Sequence, residues 1–151
     1  MNYTCIVATE GSEGSDRAGD ATIALPTIAS PALRVPGERA GMRQFAIQVG
    51  SVDQPCEAVA VTARWAGTGS NVDQDSGRLN NQRGSGYASG VQVSILNDRQ
   101  QDIDLRSNAN SQEVELTNGM AMLLYHGEYY TSGILQEGMV ETGVEYQLEY
   151  R

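Results

Sequence analysis

Apolar residues in this chain alternate with polar ones far more often than they recur at helical spacing. The last stretch shows this best. Val144, Tyr146, Leu148 and Tyr150 fall on one face of an extended chain, and Glu145, Gln147, Glu149 and Arg151 fall on the other. That pattern predicts a half-buried β-strand whose apolar face continues to the penultimate residue. Chain ends fray unless something ties them down, so this strand needs a cover for both its apolar face and its edge.

The same alternation recurs upstream. Residues 44–49 place Phe45, Ile47 and Val49 inward, with Ala46 and Gln48 outward. Residues 58–66 place Val59, Val61, Ala63 and Trp65 on one face; residues 90–97 do so with Val91, Val93 and Ile95; residues 121–131 do so with Leu123, Tyr125, Gly127 and Tyr129. Shorter strands are expected over 2–8, 21–28, 102–105 and 113–117 and near Leu79, and the final strand opens near Val140. Asn118-Gly119 is a hairpin signal. Residues 9–20 read as a polar loop, 29–41 as a Pro- and Gly-bearing connection, and 67–89 as a mobile polar loop apart from Leu79. About seven to nine short strands without a helix predict an all-β sandwich with aligned sheets. No internal repeat and no second core are visible, so 1–151 reads as a single domain.

Composition narrows the function classes. The net charge is −9, and nucleic acid or an anionic membrane surface would need a basic patch. No apolar run reaches the length of a membrane-spanning helix, and no signal peptide is visible, so the chain reads as a mature or trimmed form. All 10 basic residues are arginine. The two cysteines, Cys5 and Cys56, are too few for a zinc site; they are two buried thiols or one disulfide. The acidic residues scatter over loops and outward strand faces, His126 takes the outward phase of its strand, and no G-x-S-x-G occurs, so catalysis is not expected. Residues 71–77 superficially suggest a calcium loop but lack its terminal Glu and flanking helices. No cofactor and no metal are expected.

The ending resembles the C-terminal motif of pilus subunits of the chaperone–usher pathway. Gly138 is fourteenth from the end, Tyr150 is second from the end, and alternating apolar residues lie between them. The resemblance extends along the chain: Cys5, then Leu25-Pro26-Thr27-Ile28, a Pro/Gly connection, Phe45-Ala46-Ile47, Cys56, the strand from Gly90 to Leu96, and Asn118-Gly119 ahead of Leu124 to Tyr129. It implies an incomplete immunoglobulin-like sandwich of six main strands, with the seventh supplied in trans by strand addition. It also implies a Cys5–Cys56 disulfide and passage through an oxidising compartment. The expected acceptor groove is lined by Val144, Tyr146, Leu148 and Tyr150, with first-strand residues such as Ile6 on its other side. Gly138, Tyr150 and Arg151 form the assembly motif; the Arg151 carboxylate is expected to meet basic residues of the chaperone.

The implied protein is a structural subunit of a bacterial surface fimbria that supports adhesion. Its implied partners are neighbouring pilin subunits, a periplasmic chaperone and an outer-membrane usher, with no nucleic acid and no membrane insertion. One feature departs from the family. Only Met1 to Thr4 precede Cys5, so a donor extension is missing from this sequence. The expectation is a truncated form that accepts a strand without donating one, or the pilin half of a tip adhesin. The alternative from another class is a stand-alone carbohydrate- or receptor-binding sandwich using Tyr125, Tyr129 and Tyr130, of which only Tyr130 is free to face outward.

Overall fold

The computed structural model describes residues 5–10 and 35–151. The strand expected over 21–28, the motif Leu25-Pro26-Thr27-Ile28 and most of the flanking loops lie outside the described residues. Among the described residues the elements are β1 (Val7–Glu10), β2 (Arg39–Val49), β3 (Ala60–Trp65), β4 (Leu79–Asn80), β5 (Ser89–Leu96), β6 (Glu113–Glu115), β7 (Ala121–Gln136) and β8 (Tyr146–Tyr150). The all-β expectation holds: every regular element among them is a strand.

The strands form two antiparallel sheets, ordered β1-β2-β7-β5-β4 and β6-β3-β8. β7 lies at the centre of the larger sheet, with Ile47 opposite Leu123 on β2 and Val93 opposite Tyr129 on β5. Inward side chains from both sheets, among them Ile47, Val49, Val61, Val93, Leu123 and Tyr125, close into one core cluster. A line of rings crosses it. Phe45 stacks on Tyr125 at 5.6 Å between centroids, Trp65 meets Tyr125 edge-on at 5.3 Å, and Tyr146 lies 5.5 Å from Trp65. Such ring pairs add stabilisation of about 0.5–1.5 kcal/mol each beyond area burial.

Several boundaries and phases differ from the sequence reading. β1 runs through Thr9 and Glu10, which read as loop, because ladder pairing continues from Val7 opposite Val49 to Glu10 opposite Ala46. β2 starts at Arg39, inside the expected connection, and a register shift between Ala40 and Arg43 interrupts its period. Ala46 is buried despite its outward phase, since a small side chain on an inner strand is covered by its neighbours. Val59 is 59% exposed rather than core, because it lies before β3, which begins at Ala60; Val61, Ala63 and Trp65 keep the expected inward phase. Residues 102–105 form no strand; they are held by single bridges, Leu96 to Asp102 and Asp104 to Ala109.

The stretch 67–89 is not an open loop. It folds back on the outer face of the larger sheet. Gln92 Nε2 donates to Asp73 Oδ2 at 2.8 Å and to Asn80 Oδ1 at 2.9 Å, and Arg106 Nη1 donates to the carbonyls of Gln74 and Asp75. The outward side chains Gln92, Ser94 and Leu96 of β5 are therefore buried as well. His126 is only 7% exposed, with Nδ1 3.2 Å from the Asn97 carbonyl oxygen, where an N–H can donate to it. The outward phase of a central strand does not mean solvent when a loop covers that face.

Candidate functional site

The site is the C-terminal strand. Sequence alternation sets its faces: Val144, Tyr146, Leu148 and Tyr150 are half-buried against the core, while Glu145, Gln147, Glu149 and Arg151 are exposed. β8 pairs antiparallel with β3, from Trp65 opposite Tyr146 to Val61 opposite Tyr150. Among the described residues no strand pairs with its other edge. On the exposed face Arg64 Nε donates to Glu149 Oε1 at 2.7 Å, and the Arg151 guanidinium reaches over β3 to the Glu113 carboxylate at 2.9 and 3.0 Å. Surface pairs of this kind add little. Burial raises the Tyr150 phenol above its ordinary pKa, with Tyr146 adding to the shift.

The end of the chain is tied into the ladder. Arg151 N donates to the Ala60 carbonyl at 3.0 Å, and Arg151 O accepts from Val59 N at 2.6 Å and Ala60 N at 3.1 Å. At the other end of the motif, Gly138 lies against a neighbouring backbone. A Cβ there would come within 2.6 Å of Ala88 N and of the Tyr87 carbonyl carbon. Met139 forms a parallel bridge with Tyr87 beside it.

Cys5 and Cys56 form a disulfide with Cα atoms 5.3 Å apart. It ties the residue two before β1 to the connection between β2 and β3, so it joins segments leading into different sheets. The bridge turns Cys5 and Val7 toward the core. Ile6 therefore takes the opposite phase and is 43% exposed. The β1 residues on the same side as Val144, Tyr146, Leu148 and Tyr150 are Cys5 and Val7, which corrects the placement of Ile6. The hydrophobic content of 2–8 did not reveal its phase; the cysteine, which must point inward to pair, was the available signal.

The tyrosines do not form a platform. Tyr125 is fully buried, and burial pushes its phenol well above the ordinary pKa. Tyr130 is half-buried under two guanidinium groups, Arg78 at 3.6 Å and Arg39 at 5.1 Å from its ring centroid. In the stretch 71–77 the Asp73 carboxylate accepts from Ser76 Oγ and Gln92 Nε2, and the carbonyls of Gln74 and Asp75 accept from Arg106. These oxygen atoms serve the fold's own hydrogen bonds. No helix among the described residues is long and apolar enough to cross a membrane.

No family model matches the chain. The major fimbrial subunit SMF-1 of Stenotrophomonas maltophilia is 32% identical over 154 residues, spanning 97% of this chain and 85% of the relative. The F17 fimbrial protein of Escherichia coli is 29% identical over 156 residues, spanning 100% and 82%. Among solved structures, the P pilus rod subunit PapA superposes with a TM-score of 0.67 at 15% identity, covering 97% of this chain and 99% of PapA. That likeness establishes the fold, an immunoglobulin-like pilin sandwich. The 32% identity to SMF-1, over 97% of this chain and 85% of that relative, settles the family: the chain belongs to the fimbrial subunits.

Proposed function

We propose that the chain, folded as one pilin domain, is a shaft subunit without catalytic activity that polymerises by donor-strand exchange. A strand from a neighbouring subunit pairs with the outer edge of β8, and its alternate side chains pack beside Val144, Leu148 and the faces of Tyr146 and Tyr150. A periplasmic chaperone occupies this edge first and an outer-membrane usher exchanges it, so that the subunit reaches a cell-surface fimbria that supports adhesion. Gly138, Tyr150 and Arg151 act as the motif that the assembly proteins engage.

One observation carries the reading. The side chains of the last strand pack on the core yet stay only half-buried, on a strand that pairs on one side with β3. Four donated side chains at roughly 1.5–3 kcal/mol each would add about 6–12 kcal/mol. That is as large as the whole stability of a typical domain, about 5–15 kcal/mol. The major-subunit name of SMF-1 and the rod role of PapA favour shaft over tip.

The test is a thermal melt of the chain alone and with a synthetic donor strand of alternating apolar residues. A rise of tens of degrees with slow dissociation is expected. A cooperative melt unmoved by the peptide would remove the proposal. Tyr150→Ala should also lower the yield of the chaperone complex, and wild-type yield would sink the role given to that residue.

A further inference from the structure

The stretch 139–145 lies outside β8, yet it is extended and keeps the same alternation of exposure. Val140, Thr142 and Val144 are half-buried, and Met139, Glu141, Gly143 and Glu145 are exposed. Successive residues of an extended chain also send their N–H and C=O groups to opposite edges. The odd-numbered residues all find partners on the inner edge, toward β3 and the 66–88 segment. Met139 N donates to the Gly86 carbonyl at 2.8 Å, and Met139 O accepts from Ala88 N at 2.9 Å. Glu145 O accepts from Ala66 N at 2.8 Å.

Between these points no strand among the described residues lies alongside, and two asparagine side chains stand in for one. Asn81 Nδ2 donates to Met139 O at 2.8 Å while Asn81 Oδ1 accepts from Glu141 N at 2.7 Å. One side-chain amide thus imitates a backbone peptide in a parallel ladder, giving to one residue and taking from the residue two further on. Asn81 is itself anchored, with Nδ2 also donating to Ala88 O at 2.8 Å. Asn71 Nδ2 then donates to Gly143 O at 2.9 Å. The inner edge is served from Met139 through β8 to Arg151, and Val140, Thr142 and Val144 are left with their backbone groups turned to the outer edge. The Thr142 hydroxyl is buried and finds no hydrogen-bond partner among the described residues.

We infer that Asn81 and Asn71 are positioning residues that extend the acceptor edge backward from β8 to Val140, so that the incoming strand of a neighbouring subunit pairs along 140–150 and meets a polar or small residue at Thr142. This inference rests on the donor-strand reading. The two asparagines never touch the donor. They act by holding the connector straight and in register, so that Val140, Thr142 and Val144 continue the row begun by Tyr146.

The experiment uses the whole chain and two synthetic strands of alternating valine and threonine. The short strand matches Tyr146–Tyr150 and the long one matches 140–150. The long strand should bind at least about tenfold tighter, and it should protect the Val140, Thr142 and Val144 amides from hydrogen exchange. Asn81→Ala should lose most of that extra affinity while its affinity for the short strand is kept, and Asn81→Gln should recover little, because the longer arm displaces the amide. Equal affinities for the two strands in the wild type, or protection that stops at Tyr146, would overturn the inference while leaving donor-strand binding intact. Failure of both strands to bind would instead overturn the underlying reading and this inference with it. Should Asn81→Ala not fold, Asn71→Ala, which removes the hydrogen bond to Gly143 O, takes its place; a long strand that keeps its full advantage in the variant that folds would overturn the positioning role.

Discussion

Trp65 and Tyr146 face each other across the last ladder, in register on β3 and β8, with ring centroids 5.5 Å apart and planes tilted by 57°. Trp65 also meets Tyr125 edge-on, so one side chain couples the terminal strand to the centre of the larger sheet. Trp65→Ala should cost about 3–5 kcal/mol, read as a shift of the urea midpoint at constant slope. A loss below about 1 kcal/mol would show that the ring line contributes little. As the chain's 1 tryptophan, Trp65 should also change its emission when a donor strand binds β8.

The disulfide closes a loop with a sequence separation of 51 residues. In the chain-entropy view it stabilises the fold by about 4 kcal/mol. Replacing Cys5 and Cys56 together by serine should lower stability by roughly that amount, and reduction of the native protein should do the same. Denaturant melts under oxidising and reducing conditions check this; coincident curves would contradict it.

Gly138 lies where the terminal stretch passes close to another backbone. Ala in its place brings a Cβ against Ala88 N and the Tyr87 carbonyl carbon, neither of which can swing away. Gly138→Ala should destabilise by about 1–3 kcal/mol. It should also speed exchange of the Met139 amide, which donates to Gly86. Unchanged exchange at Met139 would show that the segment 86–88 yields freely.

Asp73 and Asp104 help to set an acid limit. The Ser76 hydroxyl, followed by the Gln92 amide, holds the Asp73 carboxyl below its usual pKa, and the Arg106 hydrogen bond does the same for Asp104. Each has a lower pKa folded than unfolded. Their stabilisation is complete above the unfolded value of about 4 and is lost as pH falls through the folded values. Melting midpoints should stay level from neutral pH down to about 5 and drop below about 4. Asp73→Asn should flatten the acid limb; an identical pH profile in that variant would remove Asp73 from the account.

The chain's own pattern determined the strand content, the family resemblance and the two faces of the terminal strand. Period-2 alternation is a local property, and on β8 it stays legible because the outward residues Gln147 and Glu149 are exposed. The cysteine pairing came from the resemblance rather than from spacing, and the structure contains that disulfide. Local pattern failed where a second layer lies on a strand. His126 and Gln92 read as outward residues but are buried, because the polar stretches after β3 and β5 fold over that face through hydrogen bonds between residues far apart in sequence.

Tertiary structure alone decided which strands are neighbours. Asn118-Gly119 makes the expected tight turn, with both residues at positive φ and Thr117 bridged to Met120. Yet it joins β6 and β7, which belong to different sheets, so a hairpin signal became a corner. Ile6 and Val7 are equally apolar in the sequence; the Cys5–Cys56 bridge and the pairing of Val7 opposite Val49 together turn Val7 inward and Ile6 out. Asn71 and Asn81 lie in a stretch that reads mostly as polar loop, and their role is not legible there, because a side-chain amide reveals nothing until folding brings it to the backbone it serves. Alternation is written residue by residue in the chain; pairing, phase and the reach of the terminal edge depend on which distant backbone each segment meets.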